Sequence, residues 1–119
     1  TPVRILPIPD EILKKLHEEG YVFYIRQIAP KDTYRGMTED VPTVAVLAML
    51  ACRADLPEDI VYTLTKVLFE HVDELRRVHA KAKAISLETA LDGMSIPLHP
   101  GAIKYYEEKG IKVPEELKP

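Results

Sequence analysis

Three prolines, each followed by two acidic residues, divide the chain more sharply than any other feature of its sequence. They are Pro9, Pro57 and Pro114. Proline suits the first turn of a helix, and carboxylates in that turn interact favourably with the helix dipole. Gly20 and Gly110 are natural stops for helices that begin before them. This punctuation predicts short helices separated by other elements along the chain.

The segments around the first of these helices have the composition of strands. Residues 3–8 and 21–28 are rich in β-branched or aromatic side chains, which favour strands. Residues 41–52 are an uncharged apolar run, which we expect to be one strand or two joined by a bend. The polar residues 31–40 are predicted to be a loop. Strands mixed with helices predict an α/β or α+β fold, although about three strands are few for a self-contained sheet.

The second half of the chain is predicted to be helical. Apolar residues over Ile60–Val78 recur at three- and four-residue spacing, which predicts one long helix with a single buried stripe. A short helix over Ser86–Leu91 and a last helix from Pro100 follow, with His99 in a capping position. Cys52 ends the apolar run and is expected to be a small buried hydrophobe.

Composition and motifs exclude several classes of function. The chain has 16 basic and 19 acidic residues and a formal charge of −3, without the overall basic excess usual in nucleic-acid binders. One cysteine excludes an internal disulfide framework and a Cys-rich zinc site. The sequence contains no glycine-rich phosphate loop, nucleophile elbow or histidine pair at zinc-binding spacing. We therefore expect no enzyme, no cofactor and no metal site.

The loop Thr33–Gly36 is the best ligand-binding candidate on residue chemistry. It offers a hydroxyl, a phenol, a guanidinium and a glycine that permits close backbone approach. Arg35, or Arg26 on the preceding strand, could pair with a carboxylate in bidentate fashion. Exposed loops of this composition often bind nothing, so both interpretations stay open on residue chemistry.

The segment Ile96–Tyr106, which reads Ile-Pro-Leu-His-Pro-Gly-Ala-Ile-Lys-Tyr-Tyr, closely resembles the C-terminal signature of TAXI-type solute receptors of TRAP transporters. The loop at 28–36, the strand at 40–46 and the helix start at 55–66 resemble the same family in the same order, as does Leu6-Pro7-Ile8. One departure is Asp32, where the family usually has glycine before the Thr-Tyr pair.

The resemblance implies an α/β fold that is a fragment of a two-lobed type II periplasmic-binding-protein-like fold, with few strands followed by a long helix and short C-terminal helices. By fold analogy, residues 1–43 are a remnant of the second lobe, and residues 44–119 are a hinge strand and the C-terminal return to the first lobe. A small organic acid or amino acid would bind between the lobes, with Tyr34, Thr43 and Arg35 as ligand-binding residues. Membrane transporter subunits would be partners, and the location would be periplasmic or extracytoplasmic, with a signal peptide expected upstream of Thr1.

A second hypothesis is a self-associating α/β or helical interaction module without a small-molecule ligand. It would pair through the stripe Ile60–Val78. Truncation of a two-lobed protein would also expose apolar surface and permit a homo-oligomer, so association alone does not separate the two hypotheses. The discriminating observation is whether that stripe is buried within one chain or between two.

Overall fold

The computed structural model describes residues 1–119, whose contacts divide into two compact units. The first unit, Thr1–Ala48, holds helix α1 (Asp10–Glu18) and strands β1 (Ile25–Ala29) and β2 (Val41–Ala45). The second unit, Met49–Pro119, holds helices α2 (Glu58–Glu70), α3 (Val72–Val78) and α4 (Pro100–Glu108), with 3-10 helices at Ala80–Ala84 and Glu115–Leu117. This mixture confirms the predicted α/β class and is compatible with part of a binding-protein fold. None of the helices has the length and apolar character needed to cross a bilayer. The assignment of 1–43 and 44–119 to two lobes stays a prediction.

The first unit is built on a two-stranded antiparallel sheet. β1 and β2 pair so that Gln27 lies opposite Thr43 and Arg26 lies opposite Val44. Helix α1 follows the proline at position 9, as predicted. It is followed by Gly20, whose φ of +95° is in the left-handed region that glycine adopts at little cost.

Residues 3–8 do not form the predicted strand. Val3 N donates to Arg35 O over 2.8 Å and Ile8 N donates to Pro42 O over 2.9 Å, but no continuous ladder joins them. Pro7 has no amide proton, which removes one donor that a ladder would need. The strand predicted over 21–28 is confirmed only in part, because residues 21–24 form a turn region before β1 begins.

The apolar run 41–52 is a strand only as far as Ala45. Residues 46–52 have no regular secondary structure, and the sheet contains no strand beside them. Val46 and Leu50 are 60% and 83% exposed. Cys52 is also exposed, so the prediction that it is buried is wrong. A continuous apolar run is typical of a strand covered on both faces, and here the run lacks such cover.

The second unit has an aromatic core between α2 and α4. Tyr105 is 2% exposed and packs with Tyr106 and Phe69. The rings of Phe69 and Tyr105 are stacked, with centroids 5.9 Å apart and 11° between their planes. Leu98 N donates to Leu117 O over 2.7 Å, which joins the C-terminal 3-10 helix to the segment before α4. The predicted last helix is therefore confirmed, and its partners come from distant parts of the sequence.

The long helix predicted over 58–78 is broken at His71. This residue has φ −112° and ψ 17°, and it separates α2 from α3. Its Nδ1 lies 2.9 Å from Glu74 Oε1, and Asp73 and Glu74 stand in the first turn of α3, where the helix dipole favours them. This local chemistry starts a new helix. The hydrogen bond with Glu74 is the main cause that raises the pKa of His71.

Only part of the predicted stripe is buried: of its members on α2, Val61 is buried and Leu68 is half-buried. Val61 and Thr65 are buried, whereas Ile60, Leu64 and Val67 are about half-exposed. The reason is that α4 covers only one side of α2, and the spacing of apolar residues does not say which side. The short helix predicted over 86–91 is also absent, because turns occupy those residues.

Candidate functional site

The loop that carries the predicted ligand residues is held by its own hydrogen bonds. Thr33 Oγ1 donates to Pro30 O over 2.6 Å, and Lys31 N donates to Asp40 Oδ1 over 2.8 Å. Met37 N donates to the Tyr34 carbonyl over 3.0 Å, and the Met37 side chain is buried beneath the loop. The loop is therefore a defined turn structure that presents its tip to solvent.

Two positions of this loop have left-handed backbone conformations. Gly36 has φ +100°, and a Cβ there would stand 2.9 Å from the Pro2 Cβ. Asp32 has φ +64°, which aspartate tolerates better than most residues. The family that the sequence resembles usually has glycine at this position. The aspartate thus adopts a conformation that glycine would take without strain, and Asp32 N still donates to the Met37 carbonyl over 3.2 Å.

Tyr34 and Arg35 lie next to each other at the exposed tip of the loop. The Tyr34 side chain is 52% exposed, and neither side chain makes a hydrogen bond or ion pair within the chain. Thr43 lies on β2, half-buried and opposite Gln27. All three predicted ligand residues belong to the first unit, but no hydrogen bond joins Thr43 to the other two. Their role in ligand binding stays a prediction.

The Arg26 side chain is already engaged in hydrogen bonds and an ion pair within the first unit. One of its terminal nitrogens, Nη1, donates to Ile8 O over 2.7 Å and to Thr43 O over 3.1 Å, and the other, Nη2, pairs with the Asp10 carboxylate. Its Nε is buried without an acceptor. Of the two arginines considered from the sequence, Arg35 is therefore the one with a free guanidinium. The sequence carried no signal for this use of Arg26, because two of its partners are main-chain carbonyls and the third, Asp10, is 16 residues away.

His99 caps helix α4, as its position before Pro100 predicted. Its Nδ1 accepts from Gly101 N over 3.1 Å, so Nε2 carries the proton and donates to Leu56 O over 3.0 Å. This tautomer follows from the hydrogen bonds. The imidazole of His99 therefore accepts a hydrogen bond from a free amide in the first turn of α4. It also donates one to the segment that leads into α2.

Two surface depressions are lined by residues of the second unit. One is lined by Phe69, Arg76, Glu88 and Lys109 among others, and one lies over α4 beside Lys118. Both are shallow and carry charges of both signs. Neither contains Tyr34, Arg35 or Thr43.

Comparison with known protein families gives a match that covers most of the chain. The model of the NMT1-like family matches residues 1–110 of the 119. The family is of the periplasmic-binding-protein-like, solute-binding type and is not a family of enzymes, so a small-molecule ligand is the partner it implies. With the match extending through both units, the chain belongs to the NMT1-like family.

Proposed function

We propose that this chain is the C-terminal part of an extracytoplasmic solute receptor of the TAXI type, which delivers its ligand to a TRAP membrane transporter. The observation that carries the proposal is the family match over 1–110 together with the specific string Leu98-His99-Pro100-Gly101-Ala102. The exposed apolar segment 46–52 supports it, because a continuous apolar run is typical of a strand covered on both faces and this segment has no such cover here. That cover would come from a lobe outside these residues.

The ligand in this proposal is a small organic acid or amino acid held between two lobes. Arg35 would meet its carboxylate, with Tyr34 and Thr43 donating hydroxyl hydrogen bonds. Hinge closure would then bury the ligand before the receptor meets the transporter. A hydrogen bond from a charged group is worth about 1.5–3 kcal/mol, which is about 10- to 100-fold in the dissociation constant.

The test uses calorimetry with L-glutamate, L-glutamine and succinate on the protein encoded by the complete reading frame. We expect at least one of these probes to bind, Arg35→Gln to weaken its binding about 10- to 100-fold, and Tyr34→Phe to weaken it less. Arg4→Gln is the matched control, because it removes an exposed cation of the same unit. Unchanged affinity in both Arg35→Gln and Tyr34→Phe would reject these site residues. Equally tight binding by residues 1–119 alone would reject the two-lobed account.

A second function, self-association, is favoured by the exposed side of α2. Ile60, Leu64 and Val67 are separated by four and three residues, so they lie along one side of the helix, and all three are about half-exposed. A second copy of the chain could cover them by packing helix against helix.

Sedimentation equilibrium of residues 1–119 tests this second function. If it holds, the chain forms dimers, and Leu64→Lys weakens them at least about tenfold because a charge enters an apolar contact. Gln27→Lys, which adds the same charge at an exposed position of the first unit, does not weaken them. A chain that stays monomeric up to about 1 mM has no useful self-affinity, and this function would then be abandoned. Dimers that form with residues 1–119 but not with the protein encoded by the complete reading frame would instead indicate that a further lobe covers this side of α2.

A further inference from the structure

The charges of this acidic chain are unevenly distributed along the second unit. Residues 75–87 contain no aspartate or glutamate, although the formal charge of the whole chain is −3. The same stretch holds four cationic side chains and a histidine: Arg76, Arg77, His79, Lys81 and Lys83. It spans the end of α3 and the 3-10 helix that follows.

Three of these cations have no partner in the chain. Arg76 is engaged, since it pairs with Asp73 over 2.9 Å and donates to Ile85 O over 2.7 Å. Arg77, Lys81 and Lys83 are exposed and make no ion pair or side-chain hydrogen bond. The segment 75–83 is therefore a positive surface segment that lies between the acidic residues Glu74 and Glu88.

An aliphatic side chain stands within this positive surface. Val78 is 85% exposed, the highest value among the large hydrophobic residues of the chain, and Leu75 one turn earlier is 39% exposed. An exposed valine adds nothing to the binding of a soluble anion. Cations beside an exposed aliphatic residue are instead the combination that a bilayer interface accepts, with charge at the headgroups and the aliphatic group at the acyl boundary.

We propose that residues 75–83 form a docking surface for anionic phospholipid headgroups. Arg77, Lys81 and Lys83 meet the lipid phosphates, and Val78 enters the boundary of the acyl region. Each cation near such a surface strengthens binding by about fivefold, so three together supply about 100-fold. An acidic protein surface would use the same cations but would leave the exposure of Val78 without a use.

The test is co-sedimentation of the chain with lipid vesicles at low salt. Vesicles containing about 30% phosphatidylglycerol in phosphatidylcholine are compared with pure phosphatidylcholine. We expect partitioning to be about 10- to 100-fold stronger on the anionic vesicles and to fall steeply as salt is raised. Replacing the three free cations by glutamine (R77Q/K81Q/K83Q) should reduce it to the level of neutral vesicles.

The matched control is the triple variant R4Q/K15Q/K31Q, which removes the same net charge from three exposed cations of the first unit. This variant should keep its partitioning onto anionic vesicles within about threefold of the unchanged chain. Val78→Ser should partition about fivefold more weakly, because the aliphatic contact is lost. Equal losses in the two triple variants would show a general charge effect and overturn the proposal. So would equal binding to both kinds of vesicle, or capture by an acidic protein surface alone. No solute is needed, so the outcome is independent of the proposed receptor function.

Discussion

Gly101→Ala is expected to destabilise the second unit by about 3 kcal/mol or more, because the added methyl group has no space. A Cβ at this position would stand 2.3 Å from the Glu58 carbonyl oxygen and 2.7 Å from the Tyr62 amide nitrogen. Both are backbone atoms, which cannot move aside as the end of a flexible side chain can. The methyl would force α4 away from α2 and loosen the packing of Tyr105 on Phe69.

The sign of this change makes it a sharp test. Helix propensity alone predicts that alanine in place of glycine stabilises a helix by up to about 1 kcal/mol. Packing predicts that alanine destabilises the protein. The midpoint of urea denaturation, monitored by circular dichroism, should therefore be lower. Glu107→Ala, at an exposed position of the same helix, is the control and should change stability by less than about 0.5 kcal/mol. An unchanged or higher midpoint for Gly101→Ala would contradict the close approach of α2 and α4.

Arg26→Met is expected to destabilise the first unit by about 2–4 kcal/mol, since it removes hydrogen bonds from a charged donor and strands two acceptors. The Ile8 and Thr43 carbonyls would lose their shared partner, and Asp10 would lose its ion pair. Arg26→Lys should give an intermediate loss, because an ammonium lacks the planar fork that reaches several acceptors at once.

Hydrogen exchange followed by mass spectrometry is the measurement for Arg26, because it reports each unit separately. Peptides from β1 and β2 should exchange faster in Arg26→Met, while peptides from α4 should be unchanged. Arg4→Met is the control for loss of an exposed cation. Equally faster hydrogen exchange in both units would mean that Arg26 stabilises the whole chain and not its own unit alone.

Local signals predicted where α1, α2 and α4 begin and where α1 and α4 end, but not the break at His71. Pro9 and Pro57 each precede a helix, and Gly20 and Gly110 follow helices with positive φ. These outcomes depend on chemistry within one turn of the chain, which is why the sequence is sufficient. The cap by His99 is also a local feature, because its Nδ1 accepts a hydrogen bond from the amide of Gly101, two residues along the chain.

Predictions that depended on distant partners were less successful. The segment 46–52 has a strand-like composition but no strand beside it. The apolar spacing on α2 was correct, yet the face that becomes buried is decided by where α4 approaches, through Gly101 and Val61. In the candidate site, the exposure of Tyr34 and Arg35 follows from a loop prediction. The hydrogen bonds of Arg26 could not be predicted in this way, since they depend on the Ile8 and Thr43 carbonyls, which only the folded unit brings together.

The amide of Val3 and the side chain of Pro2 hold the start of the chain against the loop at Arg35 and Gly36. An affinity tag attached before Thr1 would therefore emerge beside Tyr34 and Arg35. An acidic tag placed there would compete for the same guanidinium that the solute is proposed to meet. Binding measurements on this chain should carry the tag after Pro119, which belongs to the other unit.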